Sequence, residues 1–463
     1  MTRRPENPEA QGDASPPSVV IVGGGFAGVG CAQELSDAHV PVTLLDRNNY
    51  HQFQPLLYQL ATAQLAANDV ATPLRTLFRK EQTISIKEAD IAKVDPESRT
   101  VTTTDGVAFS GDYLVLAMGS QPNFFRTPGA AEHSFPLYSL LDAERLRSRM
   151  LEVFDAADRD PRLIDQGALT FVIVGGGATG VEVAGALADF INRVLPAEYR
   201  DLAGHETRVH LVDHGNALLG PFSESAHEYA AKVLHRDGVR LQMGTAVEEI
   251  TSSSVRLGNG TVIRTRCVIW AGGLKAAPLA SGVGLGQGRG GRLTVEPDLS
   301  VDGLPNVFVV GDVANLNGPD GTPYPQLGSV ALQQGQWAAK NILADIAGKP
   351  RHAFHYHDKG IMAMIGRGAA VAEVGRKRHE LHGAIAFASW LGVHAALMSG
   401  IRSRVDAFVS WGWDYFSGNR SPGLIDHPDA ATIDWTEPEP IDLRESVATP
   451  APRASTDATV PSG

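Results

Sequence analysis

Two stretches of this chain carry one pattern of apolar and small residues. Positions 19–35 read VVIVGGGFAGVGCAQEL, and positions 171–187, 152 further on, read FVIVGGGATGVEVAGAL. Each opens on an apolar β-branched run, passes through G-x-G-x-x-G and continues into an alanine-rich stretch with helical spacing. That order predicts a strand, a tight turn and a helix, the opening of a dinucleotide-binding βαβ unit. Apolar runs predict further strands at 42–45, 209–212 and 307–310, strands running into small-residue turns over 113–120 and 267–273, and others at 84–93 and 100–104. Helical periods appear at 137–157, with Leu140, Leu141, Leu146 and Met150 among the apolar positions, and at 329–347. Positions 49–63, NYHQFQPLLYQLATA, keep neither period and read as a loop leading into a helix.

The two halves also end alike. The strand at 114 runs into Gly119, and the one at 267 runs into Gly272 and Gly273. The strand at 307 closes on Gly311-Asp312. This order implies an α/β fold of two Rossmann-like domains, the second inserted in the first. The first takes residues 18–125 and 274–350, and the second takes 126–273. Beyond 350 the character changes. Positions 381–401 hold no Asp, Glu, Lys or Arg, Arg402 and Arg404 follow, and Trp390, Trp411 and Trp413 lie close together. Residues 351–425 therefore read as a membrane-associating region, with aromatics and arginines at the headgroup level. A domain cap, a homodimer interface and a true span stay open as alternatives.

Composition narrows the class. With 463 residues, 43% hydrophobic and 20% charged, the chain has the makeup of a soluble multi-domain protein. A formal charge of −12 argues against nucleic acid as a partner. Residues 1–17 are polar and proline-rich, and 426–463 are acidic and rich in Pro and Ala; both are expected to be disordered. The only cysteines are Cys31 and Cys267, so no C-x-x-C redox pair or cysteine-ligated cluster is available. No metal site is expected.

The candidate chemistry sits around the glycines. In each finger the first glycine permits the turn, the second lets backbone N–H groups approach a pyrophosphate, and the third packs helix on strand. These are Gly23, Gly25 and Gly28, then Gly175, Gly177 and Gly180. Asp46 ends the next strand, 18 residues past Gly28, about where a carboxylate meets a ribose. Asp213 follows Gly180 by 33 residues, an interval lengthened by the polar insertion at 196–207. A carboxylate there accepts from a free 2′-hydroxyl and repels a 2′-phosphate, favouring NADH over NADPH. Glu182 stands where the first copy has Gly30, so the dinucleotide motif itself does not call for it. Two dinucleotides on one chain imply electron transfer between them, and without a cysteine pair or cluster nothing else on the chain can relay the electrons.

Three more stretches complete a resemblance. They are 49–63, already quoted, then HDKGIMAMIGR at 357–367 with AVA at 370–372, and WLGVHAALMSGIRSRVDAFVSWGWDYF at 390–416. Together with the two fingers and Gly311-Asp312, the chain from about 19 to 425 resembles the type II NADH dehydrogenases. Those are single-chain, non-pumping NADH:quinone oxidoreductases that carry FAD. The resemblance implies that the first finger, Asp46, Gly311 and Asp312 hold FAD, and that the second finger and Asp213 hold NADH. It implies Glu182, Gln333 and Lys359 near flavin and quinone, and a peripheral seat on the cytoplasmic face of the membrane through 390–416. This chain departs from the family at Gly328-Ser329, where an Ala-Gln pair contributes to the quinone site. Two other readings stand beside it: a soluble NADH:acceptor reductase serving a small redox protein, and a non-catalytic FAD- and NADH-binding redox sensor.

Overall fold

The computed structural model describes residues 16–436, apart from 376, 399 and 418–422. The first sheet begins with β1 (Val19–Val22), β2 (Val42–Asp46), β3 (Ile84–Glu88) and β4 (Tyr113–Leu116), parallel in the order β4-β1-β2-β3. β1 and β4 are buried at every position, which is why they read as unbroken apolar runs. Helix α1 (Phe26–Asp37) crosses from β1 to β2. The stretch after β2 folds as a short strand, a 3₁₀ turn and helix α2 (Leu57–Ala61), whose five residues are all buried. Its lack of period reflects burial on every side.

The chain then leaves the first sheet. After β5 (Phe135–Pro136) comes helix α3 (Leu140–Arg159), begun by a Ser139–Asp142 capping box. β6 (Thr170–Val174), helix α4 (Ala178–Asp189), β7 (Arg208–Val212), β8 (Val239–Gln242) and β9 (Cys267–Trp270) follow. The five strands are parallel, in the order β5-β9-β6-β7-β8. The chain returns through β10 (Ser300–Val301) and β11 (Leu304–Val309), and β11 lies parallel beside β4, completing six strands. One α/β unit is inserted in the other, as the repeat implies.

What covers each finger helix separates the two copies. Helix α5 (Gly328–Ile346) lies on α1 so closely that a Cβ on Gly335 would sit 1.9 Å from the Ala27 carbonyl oxygen. Against α4 lies a strand, β12 (Gly360–Gly366), the edge of an antiparallel sheet with β13 (Ala369–Val374) and β14 (His379–His382). A Cβ on Gly185 would meet the Ile365 carbonyl oxygen at 1.7 Å. Helices α6 (Gly383–Leu397) and α7 (Ile401–Ser417) follow.

Several expectations are corrected. The strand expected over 84–93 is two, β3 and a separate strand at Ile91–Asp95 that belongs to another sheet. The break comes where Ala89 N–H turns back to the Asp46 carbonyl. The uncharged run at 383–401 is interrupted after Leu397, and among the described residues no helix is long and apolar enough to cross a membrane. The tail expected to lack structure from 426 is ordered as far as 436. Asp426 pairs with the buried Arg147, Arg149 donates to the Ala430 carbonyl, and Arg266 lies over the Trp435 ring. Its first residues answer arginines on α3 and beside β9. Residues 437–463 and 1–15 lie outside the described residues.

Candidate active site

The two glycine fingers match in backbone conformation and close approaches at each glycine. Gly23 and Gly175 take φ of +110° and +113°, where a Cβ would strike the carbonyl oxygens of Ala117 and Ala271 at 2.2 and 2.4 Å. Gly28 and Gly180 each press on the carbonyl of that first glycine, with a Cβ at 1.8 Å. The middle glycines, Gly25 and Gly177, face open space, with nothing within 4 Å. Each therefore leaves a gap at a helix N-terminus where a diphosphate can meet backbone N–H groups. The residues fit the two dinucleotides.

Beside each finger stands the expected carboxylate. Asp46 accepts from Gly24 N–H at 2.5 Å and Asn48 N–H at 2.7 Å. Asp213 accepts from Gly176 N–H at 2.5 Å and Gly215 N–H at 2.5 Å. The insertion at 196–207 thus left Asp213 in the place Asp46 takes in the first copy. Burial raises the Asp46 carboxyl above its ordinary range, partly offset by those two N–H donors.

Gly311 and Asp312 border the first finger. Gly311 takes φ +77°, where a Cβ would come within 3.1 Å of the Ala27 side chain, and its N–H goes to Gln334 Oε1 at 2.7 Å. Asp312 accepts from Ser120 Oγ at 2.8 Å, and Ser120 also bonds the Tyr138 hydroxyl. Burial raises the Asp312 carboxyl; the Ser120 bond and the Arg292 charge work against that. Gln334, Ser120 and Tyr138 were missed by sequence reasoning. The Gln333-Gln334 doublet was a signal for the first; the other two lie far away in sequence.

Glu182 lies on α4, with its carboxyl inside the protein. Its Oε1 accepts from Met364 N–H at 3.2 Å, an outward-facing group of the edge strand β12 where its pairing with β13 shifts register. A solvated helix-start role is thereby excluded. Burial pushes the carboxyl up to about 8, with smaller opposing effects from the Met364 N–H and the Trp390 side chain. The Trp390 indole N–H is buried without a hydrogen-bond partner of regular geometry. Glu182 lines a cavity of about 300 Å³ bounded by α2, α4, β12 and α7, to which Tyr58, Gln59, Met364 and Trp411 also contribute.

Gln333 and Lys359 do not line that cavity. Gln333 is bound both ways to the backbone of His357, its Nε2 donating to the carbonyl at 3.1 Å and its Oε1 accepting the N–H at 2.9 Å. Lys359 is exposed, and its carbonyl accepts from Gly375 N–H. Gly328 leaves room for the Phe26 ring, and Ser329 Oγ bonds the Tyr356 hydroxyl at 2.9 Å. Cys31 and Cys267 are both free and buried, so no disulfide or thiolate serves the site.

Two fingers, two carboxylates and an inserted second sheet define a two-dinucleotide oxidoreductase, and the model of the pyridine nucleotide-disulphide oxidoreductase family matches residues 17–335. Within it, the chain belongs to the type II NADH:quinone oxidoreductases. It is 34% identical over 433 residues to a type II NADH:quinone oxidoreductase of Mycobacterium tuberculosis, covering 89% of this chain and 92% of the relative. A second from the same organism is 34% identical over 424 residues, with 88% and 89% covered. In fold it is similar to NDH2 from Plasmodium falciparum, solved in complex with NADH, at a TM-score of 0.79 and 19% identity. That likeness covers 87% of this chain and 99% of the other.

Proposed function

We propose that this chain binds NADH at the second finger and FAD at the first, and reduces a quinone reached from the membrane surface, moving no protons across it. FAD held by the first finger would supply a carrier able to take a hydride from NADH and release two electrons to the acceptor. The observation that carries the reading is the buried carboxyl of Glu182, facing a cavity whose outer wall is α7. A quinone needs two protons with its two electrons. Glu182, mostly uncharged at pH 7, can donate one inside a site that excludes bulk water.

The other residues bind and orient. Asp213 accepts from the ribose 2′-hydroxyl of NADH, and Asp46 does the same for the ribose of FAD. Gln333 holds the segment carrying Lys359 through the His357 backbone, so the two act as one unit on the flavin side. Helices α6 and α7 turn Ile385, Val409 and Trp413 outward, 69%, 65% and 60% exposed. Apolar side chains beside Arg402 and Arg404 suit the headgroup region of the cytoplasmic face, where the protein would lie as a peripheral one.

The test is anaerobic stopped-flow on the flavoprotein. NADH should bleach the flavin, and menaquinone and ubiquinone analogues, run in parallel, should restore it. A flavin that NADH reduces and neither quinone reoxidises, while a small redox protein does, would overturn the proposal.

A further inference from the structure

Glu182 shares the inner end of its cavity with two other buried polar groups, the α2 neighbours Tyr58 and Gln59. A chain of hydrogen bonds reaches them from α7. The Trp411 indole N–H donates to Gln59 Oε1 at 2.7 Å, Gln59 Nε2 donates to the Tyr58 hydroxyl at 3.0 Å, and Tyr58 O–H donates to Met364 Sδ at 3.2 Å. Met364 is also the residue whose N–H reaches Glu182. Tyr58 and Glu182 therefore meet at one residue of β12.

The direction of this chain follows from its first member. An indole nitrogen donates and never accepts, so Gln59 must turn its carbonyl toward Trp411. The amide nitrogen then faces Tyr58, whose oxygen receives that hydrogen. The phenol's own hydrogen has to leave on the other side, where it finds a thioether, a weak acceptor. A strong donor is left on a poor partner, next to a carboxyl.

We propose that Trp411, acting through Gln59, keeps the Tyr58 O–H pointing away from Gln59 to the side of Met364 and Glu182, so that Tyr58 can turn to the carboxylate left when Glu182 gives up its proton. This rests on the reading of Glu182 as a proton donor. Only one proton moves, from Glu182 to the acceptor; the phenol turns its hydrogen from sulfur to oxygen and keeps it. Burial and the neighbouring Glu182 charge hold the Tyr58 phenol well above its usual range, so it stays protonated. Tyr58 is a positioning residue, and Trp411 sets it from the helix whose outer face carries Phe408, Val409 and Trp413. The other ionisable groups around the cavity are engaged elsewhere. Asp189 pairs with Arg193 at 2.9 Å, Arg367 donates to the Asp414 and Tyr415 carbonyls, Gln64 reaches Asp414 at 3.5 Å, and His394, stacked on Trp390, is held down to about 4 by burial.

The test follows the protonated carboxyl stretch of Glu182 by infrared spectroscopy against pH in the intact flavoprotein, with Glu182→Gln as the blank. The parent midpoint should lie near 8. Trp411→Phe keeps a ring but frees Gln59 to flip and take the Tyr58 hydrogen, and Tyr58→Phe removes that hydrogen. Each should raise the midpoint by about one unit, the low end for a lost hydrogen bond to a charge. The double variant should shift no further than either alone, and the pH dependence of flavin reoxidation by a soluble quinone should move with the infrared midpoint. A parent midpoint near 8 that Trp411→Phe leaves in place, or shifts that add in the double variant, would overturn the relay and leave the Glu182 reading standing. No carboxyl titrating near 8 in the parent takes both down. If Tyr58→Phe sheds its flavin, Trp411→Phe alone is read, because its shift is what the relay requires.

Discussion

Replacing Glu182 by Gln keeps the side-chain size and the bond to Met364 N–H, and removes the proton. With its carboxyl at about 8, Glu182 is protonated roughly ten to one at pH 7. At the ordinary 4.5 it would be ionised by more than two orders of magnitude. The folded protein therefore holds a proton that the unfolded chain releases above pH 4.5. Glu182 contributes its full share of stability below about 4.5 and loses it as pH rises to about 8. That span corresponds to about 5 kcal/mol, taken as an upper figure. Glu182→Gln has no such loss, so its denaturant midpoint for flavin release should gain on the parent between pH 5 and pH 9. In turnover the two half-reactions should separate. Flavin reduction by NADH should stay near the parent rate, because hydride transfer depends on positioning. Reoxidation by a saturating short-chain quinone should slow about 10²-fold, the lower end for a lost general acid. The parent rate should fall as pH rises through about 8, and the variant should lack that inflection. Stopped-flow of each half-reaction between pH 6 and 10 measures this. Equal slowing of both would indicate a distorted flavin site, and an unchanged reoxidation rate would refute the proton-donor role.

Asp213→Ala should retain FAD and narrow the preference for NADH over NADPH by about 10-fold or more in kcat/KM, one lost hydrogen bond to a charged group; unchanged ratios would remove Asp213 from the ribose site. Gly335→Ala drives a methyl into the Ala27 carbonyl between α5 and α1, and should cost about 1–3 kcal/mol, read as a lower temperature of flavin release. Val409→Asp with Trp413→Asp changes exposed positions on α7, so flavin content should hold while co-sedimentation with anionic vesicles drops. Retained sedimentation would exclude this face as the anchor, and a loss of dimer in its place would identify a second copy as its partner.

Much of the fold was legible because it is local. A G-x-G-x-x-G turn is dictated by backbone conformation within a few residues, and Gly23, Gly28 and their counterparts take the tight-turn and close-packing positions that their spacing implied. Burial of both faces of a parallel sheet made β1, β4 and β6 visible as apolar runs. The carboxylates Asp46 and Asp213 were legible for a related reason, since each ends a strand beside its finger. Whether the stretch at 49–63 was surface loop or core could not be read, because α2 is buried by partners from α3, α4 and α7 and keeps no one-sided pattern. Positions 426–436 read as tail because their composition is polar, while their arginine partners lie on α3 and beside β9.

By itself, then, the sequence determined two dinucleotide cradles, their nesting and the absence of a cysteine relay. Only the tertiary structure decided that Glu182 is buried with its carboxyl pushed up to about 8, that Gln333 is tied to the His357 backbone, and that Tyr58, Gln59 and Trp411 form one directed chain. The reason is physical. A glycine's φ belongs to its own peptide unit, but the state of a carboxyl is set by whatever excludes water from it. For Glu182 those are Tyr58, Met364, Trp390 and Trp411, brought from four separate elements, so no window along the chain contains its environment.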